Sequence, residues 1–177
     1  MRRGAETDKE FTEFLAARSG QLYRSAYLLT TSPHTAEDLL QTTLSKAYVS
    51  WGRVRRADDP VAYVHGVLIK TFLSERRRRS SSELPVAEPG LLGRLDRTAT
   101  SSDPTDRVAL MAALARVAPL DRAVVVLRFW EDRSVAQTAV DLDLSEAAVK
   151  NRSLRALRTL RELLAEPTHH AHQGRNP

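Results

Sequence analysis

Apolar residues recur at three- and four-residue spacing along most of the chain, and caps, prolines and glycines mark where that rhythm stops. Phe11, Phe14, Leu15, Leu22, Ala26 and Leu29 predict helix over residues 8–30, as one long helix or two in tandem with Gly20 the weak point between them. Thr7 and Glu10 read as a capping box at its start. Ser32-Pro33 opens a second helix with the stripe Ala36, Leu39, Leu40, Thr43, Leu44, Ala47, Tyr48 and Trp51, ending at Gly52. Asp59-Pro60 opens a third, carrying Val61, Val64, Val67, Leu68 and Phe72 and ending in Arg76-Arg77-Arg78-Arg79. Residues 80–103 are rich in Ser, Pro, Gly and Thr, with one apolar cluster of Leu91, Leu92 and Leu95, and read as a flexible linker. After Asp103-Pro104 comes a helix with Val108, Met111, Leu114 or Ala115, and Val117. Pro119 breaks it, and Val124, Val125, Leu127 and Phe129 belong to another that ends near Trp130.

Residues 134–161 hold the most informative pattern. Ser134 and Gln137 form a capping box, and Val135, Ala139 and Leu142 fall on one helical face. Leu142-Asp143-Leu144 makes a turn, since Asp tolerates the left-handed backbone. Ser145 caps a second helix whose apolar line is Val149, Ser153, Ala156, Leu160 and Leu163. This is a helix-turn-helix. Glu146, Lys150, Asn151, Arg152, Arg155 and Arg158 are left facing outward. Lys and Arg reach guanine edges or phosphates and Asn pairs with adenine, so such a helix suits a major groove. The plainer reading is two amphipathic helices packed in an all-helical domain. The expected fold is all-α: two small helical domains, 7–79 and 104–165, joined by the flexible linker 80–103, with a disordered tail over 166–177.

Composition narrows the chemistry. The 177 residues carry a formal charge of +5 and a pI near 10, which favours a polyanionic partner. With no cysteine, disulfides and thiolate-held metals are excluded. No stretch has the apolar length of a membrane span, and the start MRRGAETDKE lacks a secretory core, so no membrane insertion and a cytoplasmic location are expected. Two polar sets exceed what packing requires. Glu37, Asp38 and Gln41 form one at the start of the second helix. Lys70, Thr71, Ser74, Arg76 and Arg77 form the other along the third, where four successive arginines point to phosphate. The carboxylates mostly begin helices, so no catalytic constellation, metal site or cofactor site emerges. His169, His170 and His172 read as part of a solvated tail; His34 and His65 receive no role.

In their order, these blocks resemble the extracytoplasmic-function sigma factors of the bacterial sigma-70 family. Thr35-Ala36-Glu37-Asp38-Leu39-Leu40-Gln41 through Trp51 resembles the family's polymerase-binding helix. Tyr63-Val64 through Arg78 resembles its −10-element helix. Ala118-Pro119-Leu120-Asp121-Arg122 with Val126-Leu127-Arg128-Phe129, then Ser134 to Leu164, resembles its −35-element domain. Lys70 stands where the family often has Asn, and Asp143 where Gly is usual. The resemblance implies a transcription initiation factor, not an enzyme, with core RNA polymerase and promoter DNA as partners and room for an anti-sigma factor. It implies polymerase contact through Asp38, Gln41 and Leu44. It places −10 contact at Lys70, Thr71, Ser74, Arg76 and Arg77. For −35 contact it points to Ser145, Glu146, Ala148, Lys150, Asn151, Arg152 and Arg155. Two other readings of the residues remain: a helix-turn-helix regulator that never joins polymerase and, more remotely, a nuclease.

Overall fold

Prolines set the helix starts. In the computed structural model, which describes residues 2–81 and 104–165, helices α2 (Pro33–Val49), α4 (Pro60–Ser81), α5 (Pro104–Arg116) and α6 (Pro119–Val125) each begin on one. Proline lacks the N–H that a first helical turn cannot use, and its fixed φ suits the position. Side chains add caps: the Ser32 hydroxyl accepts from the Thr35 amide at 3.5 Å, and Asp59 Oδ1 accepts from the Ala62 amide at 2.9 Å. The linker expected over 80–103 lies outside the described residues except for 80 and 81, which belong to α4. The tail with its three histidines also lies outside them.

Helix α1 runs unbroken from Arg2 to Thr30, through Gly20. The expected capping box at Thr7 and Glu10 is therefore wrong. Those residues sit inside the helix, where no orphan amides await a cap. Glu10 instead reaches α3 (Trp51–Val54), a single turn after α2, and accepts from Trp51 Nε1 at 3.2 Å. Phe11 and Phe14 tilt against the Trp51 ring at 5.2 and 5.3 Å between centroids. Trp51 is thus the centre of an apolar cluster with Leu22, Ala47, Val54 and Val64. The second helix accordingly ends at Val49, before the expected Gly52.

The largest apolar cluster joins both blocks. Ala26, Leu29, Leu39, Leu68, Ile69 and Phe72 from the first pack with Met111, Leu114, Val117, Val126, Leu127 and Leu160 from the second. Two blocks read as separate units in the sequence thus share a core. A third cluster, Val124, Ala139 and Val149, holds α7 (Val135–Leu142) and α8 (Glu146–Ala165) against α6.

Between α6 and α7 the chain makes a π-helical turn, Val126–Trp130, where the Glu131 amide donates to the Val126 carbonyl at 3.0 Å. The widened turn leaves Phe129 and Trp130 about half exposed and carries Glu131 into the first block. Such turns occur often at functional sites.

Candidate nucleic-acid interface

The helix-turn-helix forms as its local signals require. The Ser134 hydroxyl accepts from the Gln137 amide at 3.1 Å, and the Gln137 side-chain oxygen accepts from the Ser134 amide at 2.9 Å, which closes the capping box. Asp143 takes the left-handed conformation, φ 54° and ψ 50°, and ends α7. The Leu144 amide donates back to the Ala139 carbonyl at 2.9 Å. The Ser145 hydroxyl accepts from the Ala148 amide at 3.1 Å and caps α8. Val149, fully buried, packs on Ala139 and Val124 and fixes the angle at which α8 leaves the domain.

That packing decides which side chains of α8 face out. Glu146, Lys150, Asn151 and Arg158 are exposed and make no hydrogen bond or ion pair among the described residues, while Ala148 is half-buried. Arg152 and Arg155 are not simply outward, as the spacing alone suggested. Three residues apart, they lie about 60° from each other around the helix. Both turn to one carboxylate, Asp121 of α6. Arg152 Nη1 donates to Asp121 Oδ1 at 2.6 Å, and Arg155 Nε and Nη2 donate to Oδ2 and Oδ1, each at 2.8 Å.

The residues expected at the −10 element divide. Lys70, Arg76 and Arg77 are exposed and Ser74 is half-buried. Thr71 is a correction: it is 3% exposed, and its hydroxyl accepts from Lys46 Nζ at 3.0 Å. It shares a helical face with Val64 and Leu68, both fully buried, so it turns inward with them. Arg76 and Arg77 line a cleft of about 480 Å³ whose other wall includes Pro119 and Leu142 of the second block. On α2, Asp38 and Gln41 are exposed, Asp38 lying 3.0 Å from His34 Nδ1. Leu44 instead packs, partly buried, against the Trp51 cluster.

Buried polar residues to which the sequence reading gave no role lie between the blocks. Glu131, 7% exposed at its side chain, accepts from the Ser25 hydroxyl and from Gln21 Nε2 at 3.3 Å, and lies 3.3 Å from His65 Nδ1. Burial holds the His65 pKa below its ordinary 6.5 despite the Glu131 charge, which pulls the other way; Arg133 also lowers it and Asp59 raises it. His65 is therefore neutral at neutral pH, and its Nε2 has no partner among the described residues. Arg122 is buried too. Its guanidinium donates to the carbonyls of Leu29 at 2.7 Å, Ala115 at 3.0 Å and Val117 at 2.9 Å. Burial, and then the charge of Arg76, bring its pKa down to about 10, which still leaves it charged at neutral pH.

No group of His, Asp and Glu among the described residues could hold a metal ion, and no described helix is long and apolar enough to cross a membrane. Residues 15–82 match the family "Sigma-70 region 2" and residues 107–160 the family "Sigma-70, region 4". The chain is similar to the RNA polymerase sigma-E factor of Streptomyces coelicolor, 37% identical over 88% of this chain and 86% of the relative. It is also similar to the ECF RNA polymerase sigma factor SigL of Mycobacterium tuberculosis, 30% identical over 82% of this chain and 83% of the relative. Among solved structures it resembles the sigma factor RpoE of Bartonella quintana, determined in complex with the anti-sigma factor NepR. That match has a TM-score of 0.71 at 24% identity, covers 90% of this chain and 99% of the other, and bears on the fold alone. Both regions stand in order, and named relatives match over most of their length, so the chain belongs to the sigma-70 family as an extracytoplasmic-function RNA polymerase sigma factor.

Proposed function

We propose a division of labour in which residues 7–79 bind core RNA polymerase and the −10 element while residues 104–165 read the −35 element as duplex. The chain initiates transcription in the cytoplasm without itself being an enzyme. The exposed, unpartnered Lys150 and Asn151 at the start of α8 carry this reading, with Ser145 and Glu146 beside them. Residues near the start of a recognition helix approach base edges, and Lys and Asn have the hydrogen-bonding groups to tell bases apart. Arg152, next to Asn151, and Arg155, about a turn further on, grip phosphate. Lys70, Arg76 and Arg77, with Ser74 beside them, hold the opened −10 strand; Thr71 supports them from inside. A basic surface of this kind suits unstacked single-stranded DNA. Exposed Asp38 and Gln41 offer the polymerase a polar face on α2, and Leu44 stiffens that face from beneath.

The test is promoter binding by Lys150→Ala against a set of −35 variants at several salt concentrations. The expected result is a loss of about 1–3 kcal/mol with relaxed preference at one base position. A uniform loss across all sequences, with preference unchanged, removes Lys150 from base readout.

A further inference from the structure

We propose that Asp121 is a positioning residue for DNA binding: it holds the Arg152 and Arg155 guanidiniums in the geometry in which they meet the phosphate backbone. This rests on the reading of α8 as the −35 helix and goes a step beyond it. Asp121 belongs to another helix, 31 and 34 residues away in sequence, and its side chain is 6% exposed. The partners are far less enclosed. The Arg155 side chain is 61% exposed and that of Arg152 29%. Burying the carboxylate costs solvation that its ion pairs at best offset, so the arrangement is weak evidence for a plain stability device. As a jig it has a clear use.

The geometry leaves the arginines able to work. A guanidinium carries five N–H donors. Asp121 engages Nε and Nη2 of Arg155 and Nη1 of Arg152. Nη1 of Arg155, and Nε and Nη2 of Arg152, keep their hydrogens for a phosphate. Two cations share one carboxylate, so the patch stays net positive. Both side chains would otherwise lose extensive rotamer freedom on binding DNA. Held in advance, they lose less, which is the general benefit of preorganisation.

The alternative use of Asp121 is to screen the arginines, and the two uses differ in sign. Removing a negative charge beneath a DNA-binding surface should tighten binding if screening is all that Asp121 does. If it positions the arginines, the same change should loosen binding. The experiment is fluorescence anisotropy of the full chain with a −35 duplex and a scrambled duplex across a salt series. It compares wild type, Asp121→Asn, the Arg152→Ala/Arg155→Ala pair, and the triple variant. The expected loss for Asp121→Asn is roughly tenfold, the cost of ordering two arginine side chains. In the background lacking both arginines, Asp121→Asn should change nothing further, because nothing remains to be positioned. Equal or tighter binding by Asp121→Asn overturns the proposal in favour of screening. An equal loss in both backgrounds overturns it in favour of a general structural effect. Wild-type chain that binds the two duplexes alike overturns the reading of α8 itself, and this proposal with it.

Discussion

Replacing Arg122 with alanine is expected to cost about 4 kcal/mol of folding stability, a large share of the roughly 5–15 kcal/mol that holds a domain together. The guanidinium closes the C-terminal ends of two helices at once. Leu29 lies in the last turn of α1, and Ala115 and Val117 flank the end of α5. Carbonyls at a helix end lack intrahelical partners, and the macrodipole makes that end favourable for a cation. Among the described residues no carboxylate pairs with Arg122, so these carbonyls compensate its buried charge. Hydrogen bonds from a charged donor contribute about 1.5–3 kcal/mol each, and truncation leaves three acceptors without it. Arg122→Lys should fall between, since an ammonium lacks the planar fork that reaches separate carbonyls. Urea denaturation measures both. A loss under 1 kcal/mol for Arg122→Ala would show that water replaces the guanidinium at little cost.

Glu131→Ala is expected to weaken the docking of the two blocks by about 3 kcal/mol. The substitution leaves the Ser25 hydroxyl, the Gln21 amide and His65 without the acceptor they share. The closed arrangement has a functional consequence. Elements named −10 and −35 lie about 25 base pairs apart, or roughly 85 Å of straight B-form duplex at about 3.4 Å per pair. A compact chain of this length has a radius of gyration of about 16 Å, and its 29-residue helix α1 spans about 44 Å, so its extent falls well short of that distance. On the proposed division of labour a closed chain of that size would not reach both elements at once, so the blocks would separate at a promoter and the Glu131 contacts would break. The chain has no cysteine, so Ala17→Cys and Arg161→Cys give a unique pair of labelling sites on α1 and α8. The urea concentration at which energy transfer between them is lost should fall in Glu131→Ala. Acid should act the same way: burial lowers the His65 pKa, so stability is present above its ordinary 6.5 and is lost as pH falls below it. An unchanged midpoint in Glu131→Ala would mean that the shared apolar core alone keeps the blocks closed.

What was legible in the sequence was local. Ser134 with Gln137, Asp143 at the turn, Ser145, and the Ser32-Pro33 and Asp59-Pro60 starts each act over a few residues, and each forms as read. Thr7 with Glu10 misled because the same spacing inside a helix has no orphan donors to satisfy. Thr71 was misplaced for a different reason. Its basic neighbours suggested a surface, while its spacing from Val64 and Leu68 already put it on the apolar face. The contacts of Asp121 with Arg155, His65 with Glu131, and Leu29 with Arg122 join residues 34, 66 and 93 positions apart. No short pattern marks such pairs: packing of α6 on α8 within the second block creates the first, and packing of the two blocks creates the other two. The π-turn that delivers Glu131 was equally hidden, since its residues read as ordinary helix.

The most direct measurement is run-off transcription with purified core polymerase on genomic fragments, with and without the chain. Discrete transcripts should appear only when the chain is present. Each start should share one sequence near −35, and Lys150→Ala should reduce initiation at those starts more than at variants altered in that sequence. Core polymerase that initiates equally without the chain, or a chain that binds the fragments yet never enters a polymerase complex, would contradict the assignment.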